Sequence, residues 1–295
     1  MPVAYAAGQT MDGEMPSSGG IGMFNARTPV SGFRAIQWLR RVALLAVAPL
    51  AMAVHANAFA ATVMPLTVPA YFDPVGKGAG FWNDLASTAA KVPTTVILNP
   101  DSGPGASADA TYIAAIAKVH AAGGRVIGYV STSYSKRSLS AVVTDINRYV
   151  ALYKIDGFFI DEMTSDSVTA HIQFYQSVYN YIKGLSPAYS VMGNPGTNIP
   201  ELYASLPTAD QFVVFEDSAK HYANYAPAKW QANYPAKRFV HMVYGATEAQ
   251  MPGIVSYAAK HGAGSVFVTS TGLPNPYKNL PAYWSQLVSN ALAVK

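Results

Sequence analysis

The chain has 295 residues, 51% of them hydrophobic and 12% charged, with a formal net charge of +4 and no cysteine. So small a charge gives no footprint for nucleic acid or for a strongly acidic partner. Without cysteine there is no disulfide staple, thiol nucleophile or lipoprotein anchor, so a hydrophobic core must hold the fold.

Residues 1–61 differ in character from the remainder of the chain. Residues 1–33 are rich in Gly, Ser and Met and show no periodicity. Arg34, Arg40 and Arg41 then precede an apolar run from Val42 to Val54. Ala56-Asn57-Ala58 or Ala58-Phe59-Ala60 comes next as a small-residue cleavage site. A basic flank, a short apolar stretch and an A-x-A exit predict a secretory signal peptide. The run is short for a membrane span, although an uncleaved anchor is the alternative. The expected product is a secreted or periplasmic domain over 62–295, with no membrane attachment after cleavage.

From Thr62 onward, short apolar runs alternate with longer mixed segments. Strands are predicted near 63–71, 94–99, 125–131, 157–162, 189–194, 211–216, 238–244 and 265–270. Several are continuously apolar, as strands covered on both faces of a parallel sheet are. Helices are predicted over 81–90, 107–122, 138–152, 166–184, 200–206, 249–262 and 281–293. Gly123-Gly124 stops the second of these. The segment 218–236 carries Pro227 and Pro235 and reads mostly as loop.

Eight strands alternating with helices in one domain predict an α/β fold, the (β/α)8 TIM barrel. A doubly wound open sheet is the runner-up. It lacks a Gly-rich phosphate turn after the first strand, where Phe72-Asp73-Pro74 stands instead.

In such a barrel the C-terminal ends of the strands line the working face. Those ends carry Tyr71, Phe72 and Asp73; Asn99, Pro100 and Asp101; Tyr129, Ser131 and Tyr134; Asp161 and Glu162; Asn194; Glu216 and Asp217; Tyr244; and Thr269 and Thr271. The greasy run Gly157-Phe158-Phe159-Ile160 ends in Asp161-Glu162, and Phe212-Val213-Val214-Phe215 ends in Glu216-Asp217. Unpaired charge is costly to bury, so strands ending this way open onto solvent or onto chemistry. Paired carboxyls, tyrosines and asparagines suit glycosidic bond cleavage, which needs one carboxyl to protonate the leaving oxygen and another to attack or activate water. Tyrosine adds a ring for sugar stacking and a hydroxyl for hydrogen bonding.

The bland readings are helix capping for Asp161, Glu162 and Asp217 and turn formation for Asp73 and Asp101. Two adjacent acids exceed what a cap needs, which favours function for Asp161 and Glu162. Strand alternation places one of them in the pocket and the other against a neighbour. His221 and His241 come nearest the site, yet no zinc motif is present. A metal site from Asp161, Glu162 and Glu216 is conceivable, but no spacing selects it. Tyr175, Tyr179 and Trp284 sit at helical positions that pack against the sheet.

The ordered pieces Val68-Pro69-Ala70-Tyr71-Phe72, Asn99-Pro100-Asp101-Ser102-Gly103-Pro104-Gly105, Gly128-Tyr129-Val130-Ser131-Thr132, Ile155-Asp156-Gly157-Phe158-Phe159-Ile160-Asp161-Glu162, Gly193-Asn194-Pro195-Gly196 and Val214-Phe215-Glu216 together resemble the spherulin-4 family. That resemblance implies an exported barrel grouped with hydrolases of α-1,4-linked galactosamine or N-acetylgalactosamine polymers. It implies that Asp161, Glu162 and Glu216 match the family's acidic site residues, in an aromatic cleft fitted to an amino sugar polymer.

The expectation is an endo-acting, retaining two-carboxylate glycosidase with Asp161 as nucleophile and Glu216 as general acid/base. Glu162 would bind substrate or tune Asp161. Tyr71, Tyr129 and Tyr244 would shape sugar subsites, and Asn99 and Asn194 would bond hydroxyl or acetamido groups. With Asp73, Asp101 and Asp217 the cleft would be acidic, which suits a cationic, partly deacetylated substrate. Neither a cofactor, a metal nor nucleic acid enters this reading, and a monomer is expected. A non-catalytic carbohydrate-binding protein or a coat-associated structural protein of the same fold remains open.

Overall fold

The computed structural model describes residues 63–294, so the expected leader and its cleavage sites lie outside the described residues. Eight strands, β1 Leu66–Ala70, β2 Thr94–Leu98, β3 Arg125–Ser131, β4 Gly157–Asp161, β5 Ser190–Gly193, β6 Gln211–Ser218, β7 Phe239–Tyr244 and β8 Ser265–Val268, close in sequence order into one parallel barrel. Closure excludes the open-sheet alternative. The seam is the pair Leu66 and Val266, reinforced by the buried hydroxyls of Thr67 and Ser265 at 2.6 Å.

The helices are α1 Lys77–Ala89, α2 Ala110–Ala121, α3 Leu139–Leu152, α4 Thr169–Leu185, α5 Glu201–Ser205, α6 Ala219–Tyr222, α7 Met251–Lys260 and α8 Trp284–Ala291. Asp109 caps α2 by accepting the Thr111 N–H at 2.7 Å, and Ser138 caps α3 through the Ala141 N–H at 3.2 Å. The proline-bearing stretch after β6 forms a single turn, α6, and two 3-10 turns at Lys229–Asn233 and Ala236–Arg238. Among the described residues, no helix is long and apolar enough to cross a membrane.

Strand side chains alternate between the barrel interior and the helix layer. Tyr129 stacks on Phe159 inside, with ring centroids 6.2 Å apart. Outside, Phe72 meets Trp82 of α1, Phe158 meets Tyr149 of α3, and Phe215 packs on Tyr222 and Tyr225. At Gly128 the outer face has no room for a side chain. An added Cβ would stand 2.8 Å from the ring of Tyr149, whose hydroxyl is fixed to the Leu98 carbonyl at 3.0 Å. Gly128→Ala is therefore expected to cost about 1–3 kcal/mol by overpacking, read as a fall of several degrees in Tm. An unchanged Tm would mean that α3 can shift outward freely.

Candidate active site

The β-to-α loops surround a cavity of about 840 Å³ at the C-terminal end of the barrel. Its lining includes Tyr71, Asp73, Asn99, Asp101, Asp161, Glu162, Asn194, Glu216 and Tyr244, together with the unexpected Tyr277. Five carboxylates line it, and no Lys or Arg does.

The centre is built around Asn194, just past the end of β5. Its backbone is fixed to β4 and to the turn that follows it: its N–H donates to the Ile160 carbonyl at 2.8 Å, and its carbonyl accepts the Met163 N–H at 2.9 Å. From that anchored position its Nδ2 donates to Asp161 Oδ1 at 2.7 Å and to Glu216 Oε2 at 2.6 Å. One nitrogen thus joins acids that are fifty-five positions apart in sequence. The Tyr277 hydroxyl donates to the other Glu216 oxygen, Oε1, at 2.6 Å.

Both acids are pushed above the ordinary carboxyl range. For Asp161 the main cause is burial, opposed by hydrogen bonds from Tyr129, the Glu162 backbone and Asn194, while the charge of Glu162 adds to the rise. For Glu216 burial acts first and the Asp161 charge second, against the Tyr277 and Asn194 bonds. Tyr71 and Tyr277 lie well above the usual phenol value because burial and these same acids disfavour phenolate. They stay neutral and can donate. An acid pair of this kind, with neutral donors around it, can hold one proton and one negative charge side by side.

Asp161 and Glu162 both line the cavity, contrary to the expectation from strand alternation. Glu162 has already left the strand, with a left-handed φ of 51°, and this turn brings its side chain round to the face of Asp161. Its Oε2 accepts from the Ser131 hydroxyl and, at 3.4 Å, from the Ser133 hydroxyl.

The other expected residues separate into groups. Tyr71 lines the cavity and packs edge-on against Tyr129 and Tyr277, at 5.7 and 5.5 Å. Tyr129 lies behind Tyr71 and against Asp161 rather than on the cavity wall. Asn194 spends its amide N–H groups on the two carboxylates, so they are not available to a sugar while both acids accept them. Asn99 lines the cavity but uses its Oδ1 to accept the Gly103 N–H at 2.8 Å, which shapes the loop after β2. Asp73 accepts from the Tyr112 hydroxyl at 2.8 Å, and Asp101 sits exposed on the rim. Tyr244 lines the wall and donates to Asp217 at 3.0 Å. Asp217 itself is not part of the lining; it accepts the Ser218 N–H and pairs with His221 at 2.7 Å.

His241 proves remote from this chemistry. It is fully buried on the outer side of β7, hydrogen-bonded to the Tyr222 hydroxyl at 2.6 Å, and burial drives its pKa down to about 3. Among the described residues, no group of three His, Asp or Glu side chains is arranged to hold a metal. Tyr277 escapes the sequence reading because it lies beyond β8, in the loop Pro274-Asn275-Pro276-Tyr277. An aromatic residue in a proline-rich loop on the working face is the available signal.

A profile of the family described as spherulation-specific family 4 matches residues 65–291. Spherulin-4 of Physarum polycephalum is 33% identical over 279 residues, covering 89% of this chain and 80% of that protein. Among solved structures, Aspergillus clavatus Sph3 in complex with GalNAc superposes with a TM-score of 0.69 at 26% identity, over 78% of this chain and 98% of Sph3. A family 39 glycoside hydrolase from Bacteroides cellulosilyticus shares the fold, with a TM-score of 0.51 at 10% identity over 77% of this chain and 64% of its own. The domain is a TIM barrel, a fold it shares with both of these structures. The profile spans almost the whole described barrel and the slime-mould relative matches along most of both chains: the chain belongs to spherulation-specific family 4.

Proposed function

We propose that the protein is an endo-acting glycoside hydrolase that cleaves an α-1,4-linked polymer of galactosamine or N-acetylgalactosamine with retention of configuration. The observation that carries this reading is the pair Asp161 and Glu216, held by one Asn194 nitrogen at the floor of an open cavity. Because they share a donor, the two bonded oxygens are no more than about 5.3 Å apart. That upper limit lies short of the 6.5–9.5 Å that leaves room for an attacking water, which favours the close spacing of about 5–5.5 Å used by retaining enzymes.

In this mechanism Asp161 attacks the anomeric carbon as its carboxylate, and the glycosidic bond breaks as Glu216 gives its proton to the departing oxygen. Glu216 then takes a proton from water, and the hydroxide formed displaces Asp161 to release the sugar. Burial and the neighbouring charge keep Glu216 protonated at a pH where an ordinary glutamate would be ionised, which suits the acid role. Glu162, fixed by Ser131 and Ser133, faces the substrate as a fixed negative charge. Five carboxylates without a basic residue favour a polymer carrying free amino groups over a uronic acid polymer. The likeness to Sph3, whose structure is a complex with GalNAc, supports an amino sugar as the ligand class. The leader pattern in residues 1–61 supports export to where such polymers occur.

The test is incubation of the purified protein with a galactosamine-rich polymer, followed by NMR of the first-formed products. Oligosaccharides released as the α-anomer are expected. The pH profile should be a bell whose two limbs both lie above the ordinary carboxylate values, since burial and mutual repulsion raise both acids. First-formed β-anomer would replace retention with inversion. No release from any amino sugar polymer by folded protein would remove the hydrolase reading.

A further inference from the structure

Between β3 and α3, the chain takes three consecutive left-handed residues, Ser133 (φ 46°), Tyr134 (φ 55°) and Ser135 (φ 59°). None is glycine, so each carries a Cβ in a region that disfavours it. The segment is nevertheless tightly held. The Tyr134 N–H donates to the Glu162 carbonyl at 2.7 Å, and the Thr132 hydroxyl donates to the Asp161 and Glu162 carbonyls, each at 2.9 Å. Arg137 closes the loop from the other side, reaching the Ser131 carbonyl and Asp145, each at 2.7 Å. The loop is therefore fastened to the strand end that carries the two adjacent acids.

What this loop presents is an aromatic ring with no packing role. Tyr134 is 53% exposed, and it lines the same cavity as Asp161, Glu162 and Glu216. Those three acids all act on its hydroxyl, raising its pKa after the effect of burial, so the ring lies within their field. A lone surface tyrosine needs no explanation. One held over the cavity by a strained backbone tied to the neighbouring strand end does, because such strain persists where the surroundings enforce it.

We propose that Tyr134 is a stacking platform for a pyranose ring, forming a sugar subsite next to the cleavage point. The proposal rests on the hydrolase reading and deepens it by naming the residue that engages the neighbouring sugar. A pyranose has one C–H-rich face and an edge of hydroxyl or amino groups. Tyr134 offers the apolar face, while Glu162 and Asp101 of the same lining accept from the polar edge. Leu273, 72% exposed, and Pro274 add apolar surface to the cavity wall. Because the backbone is already fixed, little ordering cost falls on binding.

The test compares Tyr134→Ala, Tyr134→Phe and Tyr134→Gly with wild type on galactosamine oligosaccharides of increasing length. Kinetics and retention in affinity electrophoresis are both read. For Tyr134→Ala the loss should fall on KM, rising about tenfold for the longer oligosaccharides, rather than on kcat. Tyr134→Phe should restore the wild-type KM, since the ring does the work. Tyr134→Gly should bind as poorly as Tyr134→Ala without a drop in Tm, since glycine accepts the left-handed backbone. An unchanged KM and retention for Tyr134→Ala would overturn the platform while leaving the hydrolase reading intact. If wild type retains the oligosaccharides without cleaving them, the hydrolase reading falls, and retention lost with Ala but kept with Phe still upholds the platform. A wild-type protein that neither cleaves nor retains them overturns both.

Discussion

Replacing Glu216 with Gln is expected to lower polymer hydrolysis by about 10²–10⁴-fold while making the protein more resistant to heat at neutral pH. The first effect comes from the loss of the proton carried to the leaving oxygen. The second comes from the direction of the Glu216 shift. Its folded-state pKa is raised, so the stability it contributes is complete below the ordinary carboxyl value and is lost as pH rises through the raised value. At neutral pH the wild-type protein therefore holds a buried carboxyl that is drawn toward ionisation beside Asp161. Gln has nearly the same shape and carries no charge. Its carbonyl oxygen can accept the Asn194 N–H, and its amide can donate to the Tyr277 hydroxyl, which turns from donor to acceptor. Rates on a defined oligosaccharide and melting curves at pH 7 and pH 4 check both halves. The gain in Tm should be larger at pH 7, and an equal change at both pH values would contradict the electrostatic account.

Asp161→Ala should be at least as damaging, with a loss on the order of 10⁴-fold or more, because no other group can form the covalent intermediate. The substitution leaves a gap beside Asn194 and Tyr129 whose donors face an absent carboxylate. A small anion such as azide fits that gap. With an oligosaccharide bearing a nitrophenolate leaving group, azide should restore bond cleavage and give a glycosyl azide of inverted configuration. The same treatment of Glu216→Gln should give the azide with retained configuration, since the intermediate on Asp161 still forms. Identical products from both variants would undo the assignment of roles. Wild-type rates in Asp161→Ala would remove Asp161 from the chemistry altogether.

Much of the barrel was legible because its strands are so apolar. Phe158-Phe159-Ile160 and Val213-Val214-Phe215 admit no solvated face, which is the mark of a sheet covered on both sides. Helix ends were less legible. The first helix begins at Lys77 rather than 81, since Lys77-Gly78-Ala79-Gly80 looks like loop by propensity. Gly78 is needed there because the Asp73 carbonyl occupies the place of a Cβ. Asp161 and Glu216 stood out as charges ending greasy strands. The use made of Asn194 did not, because an asparagine at a strand end suits a sugar hydroxyl as well as a carboxylate. The shared orientation of Asp161 and Glu162 was hidden too, for it depends on one positive φ at a residue that rarely takes it. Tyr277 was out of reach because its loop comes back over the barrel mouth from the last strand, a long-range contact with no local signature.

The Asn194 bridge has a consequence for how the reaction would be carried. Before attack the charge sits on Asp161, and after departure of the leaving group it sits on Glu216. The sum over the two stays at minus one throughout. An amide with one hydrogen turned to each side can therefore follow the migrating electron density without moving its own frame. Solvation around the pair would be supplied in advance and kept constant, so no water would have to reorganise as the sugar passes from one oxygen to the next.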